Sequence, residues 1–214
     1  MTDNIKINVP PVFAGDKELC ISYAEDGVAS LTSSIRRYSN KAIALAEKYP
    51  WIYCSVGTHP DTADEVNEEV LEAYRQMCKH PKVKAIGEIG LDYYWKDNAP
   101  RAAQLDWCRK QIELALELDL PVIVHDREAH GDTMRVLFEY PTLRGVVHCF
   151  SGSPEMAKEL LKRGWYLGFD GPITYKNAKR APEVVAITPL DRIVIETDCP
   201  FMTPVPLRGK RNEP

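Results

Sequence analysis

Acidic and histidine side chains follow five short apolar runs in the C-terminal three-quarters of the chain. Of the five histidines in the sequence, three stand directly after such a run. One histidine or carboxylate in such a place is more often structural than functional, but the joint pattern is more informative. Imidazole and carboxylate groups together are ligands suited to Zn²⁺, Mn²⁺ or Mg²⁺. The residues in this pattern are His59, Glu88, Asp92, His125, His148, Glu196 and Asp198.

This combination of side chains predicts metal-dependent hydrolysis. Histidine favours Zn²⁺ or Mn²⁺ over a site made only of oxygen ligands. If two ligand groups share a carboxylate, two ions can hold the attacking and the leaving oxygen of a displacement at phosphorus, and they lower the pKa of bound water. We therefore expect one or two divalent metal ions per chain, which can be Mg²⁺, Mn²⁺ or Zn²⁺.

Short apolar runs alternate with helical patterns from residue 50 onward, and these elements must position the candidate side chains. The runs are rich in Val and Ile and are predicted as strands: Ile52–Val56, Val83–Ile89, Pro121–Val124, Gly145–Val147, Trp165–Phe169 and Arg192–Ile195. Helical patterns cover Asp64–His80 and Ala102–Leu118, and a third begins at Ser153. Such alternation predicts βα units and a parallel sheet. In parallel barrels the active site lies at the carboxyl ends of the strands, where the candidate residues stand.

The spacing of the predicted strands favours a TIM-like (β/α) barrel, with a doubly wound sheet as the alternative. The strand starts run from residue 52 to residue 192, about 28 residues per unit, against roughly 31 in a TIM barrel. On this spacing the first unit is shortened or replaced, with Ile5–Val9 or Cys20–Tyr23 as candidate strands. Only 16 residues follow Asp198, too few for the last helix. We expect a single domain over residues 1–214.

Composition places the chain among ordinary globular proteins. Hydrophobic residues make up 44% and charged residues 27%, which excludes a disordered chain, a collagen and a coiled coil. No apolar run approaches the roughly 18 residues of a membrane span, and the first 20 residues do not resemble a signal peptide. A net charge of −4 offers no general basic surface, so local charges or a metal must attract any nucleic acid. Six cysteines without a C-x-x-C pair predict reduced thiols and a cytoplasmic protein.

Longer sequence blocks around the candidate residues resemble those of the TatD-type metal-dependent deoxyribonucleases. The blocks occur in family order over about residues 30–214: Gly57-Thr58-His59-Pro60, Ala85-Ile86-Gly87-Glu88-Ile89-Gly90-Leu91-Asp92-Tyr93, Val122-Ile123-Val124-His125-Asp126-Arg127, Val147-His148-Cys149-Phe150-Ser151-Gly152, Ile195-Glu196-Thr197-Asp198-Cys199-Pro200 and Arg211-Asn212-Glu213-Pro214. The resemblance implies an amidohydrolase-like barrel that hydrolyses DNA phosphodiester bonds with divalent metals, often from the 3′ end of single strands. DNA, above all single-stranded DNA, is then the expected partner.

The resemblance also implies a role for each candidate residue. Glu88 matches a carboxylate shared between metal ions, and His125 and His148 match the histidines that complete one metal site with it. Asp198 matches the aspartate of the last strand, which binds metal and orients or deprotonates the attacking water. Glu88 and Asp198 are thus the candidate catalytic residues. His59 matches a histidine near the substrate phosphate, and Arg127 either contacts phosphate or forms a salt bridge at the barrel rim.

One departure from the family pattern leaves several functions open. Family members usually carry a His-x-His pair after the first strand, and in this chain no histidine precedes His59. The chain is then a TatD-like deoxyribonuclease, a hydrolase of another ester or amide bond, or a catalytically impaired remnant. Tyr93, Tyr94 and Trp95 follow the Glu88 strand; these aromatic residues either stack on unpaired bases or pack in the core.

Overall fold

A computed structural model describes residues 19–21, 31–50, 52–64 and 66–212, with side chains from residue 39 onward. Within these residues, seven parallel strands form one sheet: β1 (Leu19–Ile21), β2 (Ile52–Val56), β3 (Val83–Asp92), β4 (Val122–Arg127), β5 (Gly145–Val147), β6 (Tyr166–Phe169) and β7 (Ile193–Ile195). Six helices alternate with the strands: α1 (Leu31–Lys48), α2 (Glu68–Met77), α3 (Arg101–Glu117), α4 (His130–Glu139), α5 (Pro154–Lys162) and α6 (Arg180–Ile187).

The strands lie side by side in the order in which they occur along the chain. A doubly wound sheet reverses its strand order at one point. The observed order has no such reversal and confirms the predicted TIM-like fold over the doubly wound alternative. All six predicted strands are present: Ile52–Val56 and Gly145–Val147 have the predicted bounds, and the other four have shifted ends. The strand predicted as Val83–Ile89 extends to Asp92, and the one predicted as Pro121–Val124 extends to Arg127. Longer strands in this part of the sheet place Asp92 directly beside Arg127 in the β3–β4 register.

The first unit contains one short strand, β1, and helix α1, and residues 1–18 and 22–30 lie outside the described part of the chain. Strand β1 overlaps the predicted Cys20–Tyr23 segment and pairs with β2, with Leu19 opposite Ile52. Helix α1 connects these two strands, whereas the other candidate strand, Ile5–Val9, lies outside the described residues. After β7, no helix occurs in residues 196–212, in agreement with the expected lack of a last helix.

Two apolar clusters hold the elements together. The larger one joins the strands to the surrounding helices and includes Ile86, Ile112 and Leu160, all fully buried. The smaller one takes one residue from each of the strands β3 to β7: Ala85, Ile123, Val146, Tyr166 and Val194. This smaller cluster lies below the strand ends that carry the candidate site.

The helices also follow the sequence pattern. The side chain of Ser153 accepts the backbone N–H of Met156, and Pro154 occupies the first turn, so α5 begins where the N-cap pattern predicts. None of the helices in the described residues combines the length and the apolarity that a bilayer crossing requires.

Candidate metal centre

The carboxyl ends of β3, β4, β5 and the segment after β7 bring the predicted metal ligands together. Glu88 lies between two histidines, with Oε1 2.9 Å from Nδ1 of His125 and 3.7 Å from Nε2 of His148. The same Nε2 of His148 is 3.9 Å from Oδ1 of Asp198. Glu88 is therefore the carboxylate that both histidines share, and Asp198 lies beside His148.

His59 lies closer to this group than its expected role near the substrate phosphate requires. Its ring packs edge-on against His125, with 4.5 Å between the ring centroids. One donor atom from each of His59, Glu88 and His125 lies within 4.8 Å of the others. His59 therefore joins the candidate ligands, a role that the sequence did not assign to it.

Two further carboxylates hold the histidine rings from the other side. Nε2 of His125 is 3.2 Å from Oδ2 of Asp92, and Nδ1 of His148 is 2.9 Å from Oε2 of Glu196. Each histidine thus has one ring nitrogen facing Glu88 and the other bound to a carboxylate. Such outer carboxylates fix the orientation and tautomer of a metal-binding histidine. The sequence pattern contained Asp92 and Glu196 but gave them no separate role.

Two buried glutamines of α3 fix the loops that carry the site. Gln104 accepts the N–H of Asp92 at 2.8 Å and donates to its carbonyl at 2.9 Å. Gln111 accepts the N–H of Thr58 at 2.7 Å and donates to its carbonyl at 3.1 Å, directly before His59. The sequence pattern gave neither residue a role. Their signal is two glutamines seven residues apart on an otherwise apolar helix face.

Local backbone geometry also serves the site. Cys149 after β5 and Asp198 after β7 adopt the left-handed region, with φ of 43° and 52°. This region is uncommon for residues other than glycine, and such conformations cluster at functional sites. Asn212 holds the second segment in place, because its side-chain amide donates to the carbonyl of Thr197 at 2.6 Å. The late motif of the sequence therefore acts on the segment that carries Asp198.

The charges in the site depend strongly on one another. Burial opposes ionisation of Glu88, yet His148 and His125 hold the pKa of this carboxyl well below its usual range. Burial also opposes protonation of His125, but the hydrogen bonds that its ring donates to Asp92 and Glu88 outweigh this effect and raise the pKa of this imidazole to about 9. For His148, burial is likewise outweighed, mainly by Glu196 and Glu88, and the pKa is well above its usual value. A metal ion must therefore displace protons from both histidines.

The donor set fits a divalent cation. Imidazole nitrogens and carboxylate oxygens converge on one space, and the carboxylates outnumber the histidines that could neutralise them. Burial raises the pKa of Asp198, and the nearby charges of Glu88 and Glu196 raise it further against the effect of His148. A cation at this place would relieve the crowding of negative charge.

Arg127 does not form the rim salt bridge considered as its alternative role. No carboxylate of the described residues lies within 4 Å of its guanidinium, which instead stacks on Tyr94 at 4.2 Å and lies 5.4 Å from the ring of Trp95. Tyr94 and Trp95 are 51% and 56% exposed, so the core-packing interpretation is wrong for both. It holds in part for Tyr93, which packs against the core and donates to Asp132 at 2.8 Å.

A cavity of about 400 Å³ adjoins the site between the ends of β5 and β6 and the beginning of α6. Its walls include Cys149 and Asp170, whose side chains contact each other at 3.3 Å. Burial raises the pKa of Asp170 to about 6, since the carboxyl is removed from water beside Glu196. The cavity is large enough for a small ligand, and its wall residue Cys149 directly follows His148 in the chain.

Comparison with known proteins identifies the family. A family model described as TatD related DNase matches residues 11–214, which includes the region of about residues 30–214 in which the resemblance was predicted. The chain belongs to the TatD family of metal-dependent hydrolases. Within this TatD family, it is 48% identical over 176 residues to the uncharacterized metal-dependent hydrolase YabD of Bacillus subtilis, covering 81% of this chain and 69% of YabD.

Other relatives agree in sequence and in structure. The uncharacterized metal-dependent hydrolase YcfH of Escherichia coli is 38% identical over 162 residues, which are 75% of this chain and 60% of YcfH. The chain thus spans less than two thirds of the length of this TatD relative. The crystal structure of YjjV, a TatD homologue from Escherichia coli, superposes with a TM-score of 0.76 at 35% identity, covering 82% of this chain and 68% of YjjV.

Proposed function

We propose that this protein hydrolyses phosphodiester bonds of single-stranded DNA as a TatD-type deoxyribonuclease, acting as a 3′-5′ exonuclease. The observation that carries the proposal is the position of Glu88 between His125 and His148, with each histidine held from behind by a second carboxylate. This arrangement supports a divalent metal site at the strand ends. It favours an active hydrolase over an impaired remnant.

A divalent ion held by Glu88, His125, His148 and Asp198 would polarise the phosphodiester and lower the pKa of a bound water. Asp198 is the residue suited to accept the proton of that water. Its carboxylate lies 3.9 Å from Nε2 of His148 at the end of the last strand, and a carboxylate within reach of the attacking water can act as a general base.

The other residues bind and orient the DNA strand. His59 lies beside the ligand group and can donate a hydrogen bond to a phosphate oxygen when it does not bind metal. Arg127 supplies a positive charge at the rim of the site, close to Asp92 and His125. Local charges of this kind support binding of a polyanion by a chain whose net charge is −4.

Cleavage of an end-labelled single-stranded oligonucleotide tests the proposal. We expect products shortened from the 3′ end with Mn²⁺, Mg²⁺ or Zn²⁺ and none with a chelator. Glu88→Gln and His148→Ala are expected to lower the rate by more than about 100-fold, because loss of an outer partner of a ligand alone costs about 10- to 100-fold. The control is His80→Ala, since His80 follows α2 and contacts Glu47, which is not a residue of the candidate site.

Three results would contradict the proposal. Cleavage that persists with chelator would show that no metal is needed. Cleavage of small carboxylic esters or cyclic amides, with none of DNA, would favour a hydrolase of another bond. A folded, metal-loaded chain that cleaves none of these substrates would favour the remnant.

A further inference from the structure

We propose that Trp95, held in place by Tyr94 and Arg127, is the surface on which an unpaired base of the DNA strand stacks during cleavage. The inference deepens the proposed function and rests on it. It names what distinguishes the substrate: a base that is not paired in a duplex, next to the phosphate at the metal centre.

The position of Trp95 ties it to the site. Strand β3 ends at Asp92, whose side chain contacts His125 and also accepts the N–H of Tyr94 at 2.9 Å. The amide of Asn98 donates to the carbonyl of Asp92 at 3.2 Å and closes this loop from the other end. The two aromatic rings therefore project from a loop anchored on the residue that holds a candidate metal ligand.

Trp95 is far more exposed than two other tryptophans of the chain. Trp107 and Trp165 are 3% and 2% exposed, whereas Trp95 is 56% exposed. Its ring lies edge-on to Tyr94, with 4.8 Å between the centroids and 89° between the planes. The guanidinium of Arg127 lies over both rings and restrains them. An exposed indole held rigidly in this way loses little conformational freedom when a flat partner stacks on it.

The chemistry of this surface matches a nucleotide of a single strand. Every base has a π-face that stacks on an aromatic ring whatever the sequence. Arg127 has no carboxylate within 4 Å among the described residues, so its charge is available to the phosphate that accompanies the base. Bases of a duplex are already stacked and cannot reach Trp95. Two rings and one guanidinium also form a patch far smaller than a stable protein–protein interface.

The experiment compares two single-stranded oligonucleotides that differ only in the bases near the 3′ end. One carries all its bases, and the other has abasic tetrahydrofuran residues at the three terminal positions. We expect the wild-type protein to prefer the first by about 5- to 100-fold in kcat/KM. In Trp95→Ala this preference is expected to vanish, mainly through a higher KM for the first substrate. Trp95→Phe, which keeps an aromatic ring, should retain most of it.

Leu190→Ala is the matched control, because Leu190 is 90% exposed but precedes β7 at the opposite end of the strand. This variant should keep the full preference. If Trp95→Ala keeps it too, or if the wild-type protein cleaves both oligonucleotides equally well, the stacking surface is refuted while the nuclease stands. If the wild-type protein cleaves neither oligonucleotide, the proposed function fails and the stacking surface fails with it.

Discussion

Gln104 and Gln111 lie seven residues apart on one buried face of α3, and each binds both backbone polar groups of one residue at a strand end. Gln104 binds Asp92, and Gln111 binds Thr58. The rise of two helical turns thus sets the separation between the loop of His59 and the loop of Asp92. A helix that packs against the outside of the sheet in this way controls the spacing of groups inside the site.

Replacement of Gln111 by Leu tests this relationship. Leu has a similar size, but it leaves the N–H and the carbonyl of Thr58 without partners in a buried place. We expect the free energy of unfolding in urea to fall by about 2–4 kcal/mol, since each unsatisfied group costs about 1–3 kcal/mol. Gln76→Leu, at an exposed position of α2, should change it by less than about 0.5 kcal/mol. Equal stability of the two variants would refute the relationship.

Removal of the Glu196 carboxylate is expected to weaken metal binding without removing a ligand. In Glu196→Ala, Nδ1 of His148 loses its partner, and the affinity for Mn²⁺ or Zn²⁺ should fall by about 10- to 100-fold in a calorimetric titration. Glu196→Gln keeps an acceptor oxygen and should recover part of the loss. Glu183→Ala on α6 serves as the control. Wild-type affinity in Glu196→Ala would show that His148 needs no outer carboxylate.

A methyl group at Gly168 should disturb the orientation of the His148 ring through its partner Glu196. A Cβ at this position would overlap the Glu196 carboxylate, which must then move away from His148. Gly168→Ala is therefore expected to lower both the melting temperature and the metal affinity. Gly131→Ala in α4 provides the contrast, because its Cβ would meet no atom within 4 Å and it should stabilise the protein by about 0.5–1 kcal/mol. Opposite signs in the two variants are the expected result.

Metal binding should release protons and weaken as the pH falls. The pKa of His125 is about 9, and that of His148 is also raised, so both imidazoles carry a proton at pH 7 in the metal-free site. A histidine that binds a metal ion must be neutral, so the apparent affinity falls about tenfold per pH unit for each displaced proton. Calorimetry at pH 7 in buffers of different ionisation enthalpy measures the number released. A binding heat that does not depend on the buffer would contradict the assigned protonation.

Without metal, the raised pKa of His125 should make the folded state less stable as the pH rises, which is opposite to the pH dependence of metal affinity. The pKa of His125 is higher in the folded than in the unfolded chain. Its contribution is therefore complete below about pH 6.5 and is lost as the pH rises through about 9. The urea midpoint with chelator should fall between pH 7 and pH 10. His125→Gln should remove part of that slope, since the raised pKa of His148 contributes to the rest, and an unchanged slope would contradict the role of His125.

The strands and the main ligand residues could be predicted because local sequence determines them. Apolar runs such as Gly145–Val147 are too short and too rich in Val for helices, and polar residues after parallel strands meet at one edge of the sheet. This rule places His125 and His148 directly after predicted strands, whereas Glu88 lies within β3 and its role as a shared carboxylate was implied only by the family resemblance. Their family motifs then indicated which of the strand-end residues face the same space.

What the sequence did not indicate depends on contacts between distant segments. The position of Gln104 and Gln111 on the apolar face of α3 indicates that they are buried, but it does not indicate which strand ends they bind. The exposure of Trp95 depends on the direction in which its loop leaves β3, and no periodicity records that direction. The position of His59 against His125 likewise results from a short turn, Pro60–Thr62, whose orientation only the folded structure defines.

The sequential order of the strands has a consequence for protein synthesis. A ribosome produces β3, β4, β5 and β7 in the order in which they lie in the sheet, and the candidate ligands emerge with them from Glu88 to Asp198. A nascent chain that has not yet passed β7 holds at most three of these four ligands, and Asn212 has not yet fixed the last of them. Translation that stops early therefore releases fragments without the complete ligand set, and only the finished sheet can assemble the hydrolytic centre.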